Sequence, residues 1–290
     1  MRAVRAARTG SPASGQASAV RRAPVVAAAV AVLLVGGVAG CGDGGGGGAG
    51  GSTPAAGTDC ALAGAGSAEP GGPPVIDPGD GGDYRPELDP ADFVERIDHP
   101  YRPLLPGTRW VYDGVSDGER ERTEVVVTSD RRDIMGISAV VVEDTTYVGD
   151  EMVAQSLDAY AQDRDGNVWF LGEESADYEN GEVVCTAGSW EAGVDGARPG
   201  IVMPAQPTEG DAYRQQYVAG EAEDLARIAR LGETRTIGLG DYQDVLVIEE
   251  WSPLEPDVTE EKYYAPGVGK IFEVQTAGGD ATSELIELTA

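Results

Sequence analysis

The chain has 290 residues, with 50 Asp and Glu against 21 Lys and Arg, one His and three Cys. A net charge of −29 repels nucleic-acid phosphates and anionic lipid headgroups. It therefore excludes nucleic-acid binding and membrane attachment through a basic patch.

In chain order, the first element is a stretch of export character. Residues 1–40 contain Arg2, Arg5, Arg8, Arg21 and Arg22 and no acid. The apolar run 25–39 includes Gly36 and Gly37 and is shorter than the ~20 residues of a spanning helix. It ends in Val38-Ala39-Gly40-Cys41, small residues followed by Cys, the form of a cleavage site. This resembles a bacterial lipoprotein signal, with the tetrad matching its lipobox. The resemblance implies that Cys41 receives a diacylglycerol thioether and becomes the mature N-terminus. It also implies a location at the cell membrane, lipid-anchored on the extracytoplasmic face. Without residues 1–40 the chain carries 16 Lys and Arg against the same 50 acids, a net charge of −34. Any membrane hold then comes from acyl chains.

Residues 41–82 read as a flexible tether. Between 42 and 82 there are 16 glycines, five prolines and no Lys or Arg, and no apolar periodicity. As a coil the tether spans roughly 35 Å. Residues 83–290 are enough for one globular domain with a substantial core. Cys60 in the tether and Cys185 in the domain either pair as a disulfide in an oxidising envelope or remain independent thiols.

Within the domain, Asp89 as cap and Pro90 in the first turn predict a short helix over residues 90–97. Period-two patterning begins at Thr108. Strands are predicted at 109–112, closed by Asp113-Gly114, and at 121–128, 137–147, 152–162, 167–172, 182–186, 200–203 and 212–218. In 152–162, Asp158 and Tyr160 fall on one face. Acids at Glu221, Glu223 and Asp224 predict a second helix over 220–230. Strands resume at 234–238, 244–251, 260–264, 270–275 and 283–288. The predicted class is mainly β: an antiparallel meander forming a highly curved sheet or incomplete barrel, with one or two short helices.

Catalytic and metal motifs are weak. Asp163-Arg164-Asp165-Gly166-Asn167 resembles the start of a calcium loop, but Val168 stands where the turn glycine belongs. A hairpin turn with Asp165-Gly166 at its tip fits better. His99 is the only histidine, Cys185 has no other partner for thiol catalysis, and no Gly-x-Ser-x-Gly elbow occurs. Two further cysteines and one His give no zinc spacing. No catalytic residue, metal or cofactor is assigned, and the chain reads as a non-enzyme. The aromatic residues are more informative. Trp110, Tyr112, Tyr160, Trp169, Trp251 and Tyr264 lie on predicted strands, where they pack a core or line an apolar, Tyr-trimmed cleft.

Three stretches carry a further resemblance: residues 103–112 (Pro-Leu-Leu-Pro-Gly-Thr-Arg-Trp-Val-Tyr), 240–247 (Gly-Asp-Tyr-Gln-Asp-Val-Leu-Val) and 263–269 (Tyr-Tyr-Ala-Pro-Gly-Val-Gly). Together they resemble an uncharacterised family of secreted bacterial lipoproteins of actinobacterial type, over residues 90–290. The family implies a β-rich envelope domain and brings no activity with it. The layout is also loosely similar to lipoprotein carriers of the LolA and LppX type, whose curved sheet holds lipid. The expectation is a lipid-anchored, non-catalytic binding or carrier module for a lipid or other apolar small molecule. The alternative is a surface scaffold that works through protein contacts.

Overall fold

Long runs of alternating residues, each ending at a residue that tolerates positive φ, build most of this protein. The computed structural model describes residues 84–290 and the backbone of Val75–Ile76. The export signal, most of the tether, Cys41 and Cys60 lie outside the described residues. Five strands are short and precede the sheet's long run or start it: β1 (Val75–Ile76), β2 (Phe93–Val94), β3 (Ile97–His99), β4 (Arg102–Leu104) and β5 (Arg109–Ser116). Four long strands follow as a meander: β6 (Glu119–Ile134), β7 (Ile137–Val148), β8 (Glu151–Asp163) and β9 (Val168–Glu179). A broken stretch comes next, with β10 (Glu182–Cys185), β11 (Trp190–Glu191), β12 (Arg198–Met203), β13 (Ala212–Arg214) and β14 (Gln216–Tyr217). A second meander ends the chain: β15 (Leu225–Ile237), β16 (Gly240–Ser252), β17 (Glu255–Ala265), β18 (Gly269–Ala277) and β19 (Thr282–Thr289).

The tight turns use left-handed pairs, as hairpins of this twist require: Asp117-Gly118, Met135-Gly136 and Asn180-Gly181 all have positive φ. The first strand does not close at Asp113-Gly114 as the sequence suggests. It runs on to Ser116. Gly114 stays in the ladder because a Cβ there would lie 2.5 Å from the Thr282 carbonyl oxygen.

The two meanders join into one 17-stranded sheet that is almost closed on itself. On one side β19 returns antiparallel to β5, from Thr282 opposite Val115 to Thr289 opposite Arg109. On the other side β12 pairs with β9, and residues 212–217 bridge to β15. The first half of that segment pairs with β15, and Gln216 and Tyr217 pair with β12. Val75–Ile76, inside the stretch read as a tether, runs parallel to Ala212 and Tyr213.

Neither expected helix forms, and the described residues contain no α-helix. Over 90–97 there is one 3-10 turn, Pro90–Asp92, capped by Asp89 through a bond from the Ala91 amide. Phe93 and Val94 then pair with Asp163 and Gln162 of β8. Over 220–230 the chain turns at Gly220 (φ 75°) and enters β15 at Leu225. The acids at 221–224 favour a helix locally. Pairing of β15 with β16, from Leu225–Trp251 to Ile237–Gly240, outweighs that preference.

Side-chain character changes along the barrel. Near the Met135-Gly136 turn the core is Val127, Ile134, Ile137, Val140, Ile228, Leu246 and Ile248. Farther along the same strands lie Thr123, Asp144, Thr146, Glu250 and Ser252, also buried. The hairpin of β3 and β4 is a separate two-stranded sheet. It buries Ile97 and Leu104 in the core and is fixed by the Gly267 amide on the Pro100 carbonyl (2.7 Å). Gln162 Oε1 also accepts from the Asp98 and His99 amides.

The seam through residues 212–217 depends on Gly200. A Cβ there would lie 2.3 Å from the Gln215 carbonyl carbon and 2.5 Å from the Arg214 oxygen. Gly200→Ala is therefore expected to cost roughly 2–4 kcal/mol, which lowers the thermal midpoint by roughly 5–10 °C. Circular dichroism melts of the full chain would check this, and an unchanged midpoint would show that the seam does not need the close approach.

Candidate functional site

The β4 strand, extended before Pro103 and backed by the buried Leu104, carries Arg102 into the barrel. Arg102 lies deep in the protein yet is only partly shielded from solvent-sized contact. The accessible part lines a half-open cavity of roughly 100 Å3. The surrounding strands complete the wall. Trp110 and Tyr112 come from β5, Val125 from β6, and Val142 and Asp144 from β7. Asp158 and Tyr160 come from β8 and Phe170 from β9. Glu250, Lys262, Tyr264 and Lys270 come from β16 to β18. Most of these positions are two apart on their own strand, the spacing that puts side chains on one face.

The aromatic side is rigid. Tyr160 stacks on Phe170 with centroids 4.9 Å apart, and Phe170 meets Trp190 edge-on at 5.1 Å. Trp110 Nε1 donates to the Val268 carbonyl (2.7 Å), and the Tyr112 hydroxyl donates to that of Lys270 (3.0 Å). The Arg102 guanidinium lies 4.7 Å from the Tyr160 ring centroid, a cation–π distance.

The charged side is organised by pairing. Lys262 Nζ lies 2.5 Å from Glu250 Oε2, and Gln215 Nε2 donates to Glu250 Oε1 at 2.9 Å. Lys270 Nζ lies 2.6 Å from Glu273 Oε2. The Tyr160 hydroxyl donates to Asp158 Oδ2 at 3.0 Å.

Burial dominates the titration of the other acids. It raises Asp144 well above the usual carboxylate range, and the Asp158 charge adds to the effect. It raises Asp158 to about 6 against the Ser156 and Tyr160 hydrogen bonds and the charge of Arg102. Glu173 is raised in the same way. Asp224 rises to about 7 despite the hydrogen bond from Gln216. Glu121, with Asp117 and Glu119 nearby, also rises to about 7. Burial acts on Glu273 too, but Lys270 and Lys262 outweigh it and hold the group low. Raised carboxyls in a cavity are the pattern acid–base catalysts use. A dry interior imposes the same shift on acids that never react.

Of the six aromatic residues singled out in the sequence, Trp110, Tyr112, Tyr160 and Tyr264 meet at the cavity. Trp169 and Trp251 do not line it. Trp169 Nε1 donates to Asp163 Oδ2 (2.8 Å). Asp163 Oδ1 also accepts from the Gly166 and Asn167 amides, so the calcium-like stretch is a hairpin turn knit by Asp163. Trp251 follows the inward-facing Glu250 and is half-buried. The sequence reading missed Arg102, Asp144, Glu250, Lys262 and Lys270. Their one available signal was period-two spacing to residues already chosen, as in Lys262 and Tyr264.

His99 is buried. Its Nδ1 accepts from the Tyr101 amide (3.2 Å), so Nε2–H faces the Pro204 carbonyl (3.1 Å), and burial lowers its pKa. Cys185 is disulfide-bonded; Cys60, its expected partner, lies outside the described residues. No cluster of metal-ligating side chains occurs among the described residues.

No protein-family model matches the chain, and no curated protein matches it significantly. It is similar to three solved structures. One is a protein described as exported, with a YmcC-like fold, from Bacteroides fragilis (13% identity, TM-score 0.36, 66% of this chain and 100% of that one). Another is described as a lipoprotein from Parabacteroides distasonis (14%, 0.35, 66% and 99%). The third is a β-barrel-like protein of a domain of unknown function from Brucella abortus (11%, 0.35, 63% and 97%). These three give no link to the LolA and LppX carriers.

The sign of the pH dependence follows from the raised acids. A carboxyl raised on folding contributes stability that is complete below its unfolded pKa and is lost as pH climbs through the folded value. For Asp224 and Glu121 that window runs from 3.8 and 4.5 to about 7. His99, lowered on folding, opposes this by losing its contribution as pH falls below 6.5, but it is one group against several. The thermal midpoint of the full chain should therefore fall between about pH 5 and pH 8. Asp224→Asn should shrink the accompanying loss of stability by roughly 2 kcal/mol. A midpoint that rises toward pH 8 would contradict the assignment.

Proposed function

We propose that this chain is a lipid-anchored extracytoplasmic binding protein that holds a small ligand inside its barrel without transforming it. The observation that carries this reading is the cavity walled by Trp110, Tyr112, Tyr160 and Tyr264. Trp110 and Tyr112 are already bonded to backbone carbonyls and Tyr160 to Asp158, a preorganised surface that lowers the ordering cost of binding. The anchor reading rests on Val38-Ala39-Gly40-Cys41 and the arginine-flanked apolar run before it.

The ligand expected from the sequence was a lipid or other apolar molecule. The geometry favours something smaller and less greasy. Drug-sized ligands occupy roughly 300–1,000 Å3, several times the roughly 100 Å3 of this half-open cavity. The wall also carries Asp144, Asp158, Glu250, Lys262 and Lys270. A compact molecule with an apolar side and a polar end suits both walls.

The test is native mass spectrometry of the full chain extracted from membranes of a host that exports it. A small mass that leaves on denaturation is expected. The exported Cys41→Ala variant is expected in the soluble fraction, with the same small mass bound. A bare barrel that no small-molecule panel stabilises would overturn the binding reading. Membrane partitioning that survives Cys41→Ala would overturn the anchor.

A further inference from the structure

We propose that the cavity is a site for a short-chain carboxylate anion, received by the guanidinium of Arg102. This rests on the small-ligand reading above and names its chemical class.

Three cations face the cavity, and two of them are already paired. Lys262 is held by Glu250 and Lys270 by Glu273. Arg102 has neither ion pair nor side-chain hydrogen bond: no carboxylate of the described residues comes within 4.0 Å of its nitrogens. Its Nε is sealed from water and has no partner. A guanidinium keeps its charge at any physiological pH. Burial disfavours its charge, and the fields of Tyr160, Tyr264, Asp158 and Glu250 offset that cost, but its Nε–H still lacks an acceptor at hydrogen-bond distance.

The protein's own acids compensate Arg102 only at a distance: Asp158 and Glu250 act on its charge, but neither forms an ion pair with it. Both Glu250 oxygens are engaged, by Lys262 and Gln215; Asp158 Oδ2 is taken by the Tyr160 hydroxyl, and Asp158 Oδ1 has no hydrogen-bond partner. Tyr160 covers one face of the guanidinium at 4.7 Å, which leaves its N–H edge to a ligand. A planar carboxylate matches that fork in a bidentate way. Burial raises Asp144, nearby on the wall, well above the usual carboxylate range, which lessens its repulsion of such an anion.

Size and the opposite wall set the rest of the ligand. Val125, Val142, Val202 and Trp110 offer an apolar surface. A cavity of ~150 Å3 accepts benzene. By that measure roughly 100 Å3 holds about four or five heavy atoms. Acetate, propionate and butyrate bracket this size.

The experiment is calorimetric titration of the full chain in detergent with each of these three sodium salts, alongside thermal melts. Saturable binding and a raised midpoint are expected for at least one of them. Arg102→Gln should weaken binding at least tenfold. A purely structural arginine would leave binding unchanged. Should Arg102→Gln fail to fold, Val125→Phe fills the apolar wall with Arg102 in place and should abolish binding. Retained binding in either variant overturns the proposal. So does wild-type protein that ignores all three acids. If that protein nonetheless retains a neutral or cationic small molecule in native mass spectrometry, the binding reading stands and only the carboxylate assignment falls. If it retains nothing, both fall.

Discussion

Closing a sheet on itself turns every second side chain of every strand inward, away from water. In this chain many of those inward positions are ionisable, and the fold depends on how their charges are settled. Lys262 and Lys270 are matched with Glu250 and Glu273. Asp144, Glu173 and Asp224 are pushed by burial toward the neutral form. Isolated charges in such a place would cost more than any single contact returns. Arg102 stands apart: it does not deprotonate, no carboxylate forms an ion pair with it, and its Nε has no hydrogen-bond partner.

The apolar half of the barrel makes this arrangement sustainable. Ile134, Ile137, Ile228, Leu246 and Ile248 are essentially fully buried. They supply the burial that stabilises the closed sheet, at about 25 cal/mol per Å2. The hairpin of β3 and β4 packs Ile97 and Leu104 against that half while carrying Arg102 to the border with the polar half. Pairing at residues 212–217 completes the sheet around the charged layer. It requires Gly200, where two backbones pass too closely for any side chain.

Most strands were legible in the sequence, because alternation and turn pairs such as Asp165-Gly166 are local signals. The two expected helices were not strands by any local measure. Phe93 and Val94 became a strand by pairing with Gln162 and Asp163, and Leu225 by pairing with Trp251, contacts that no window of residues contains. The same limit governed the site. Aromatic residues are scarce enough to stand out, and four of six chosen ones line the cavity. Asp144, Asp158 and Glu250 were hidden among 50 acids. Arg102, in a proline-rich lead-in, gave no sign of meeting Tyr160, which lies far along the chain. What marks these residues is the partner across the barrel, and that is a property of closure.

The central claim is that the barrel seals protonated carboxyls away from water. Infrared spectroscopy of the full chain in heavy water near neutral pH tests it directly through the carbonyl stretch of protonated carboxyl groups. A band should persist near pH 7, where exposed acids are ionised, and should lose intensity in Asp144→Asn. The absence of any such band near neutrality would show that these acids are solvated and charged, and would contradict the account.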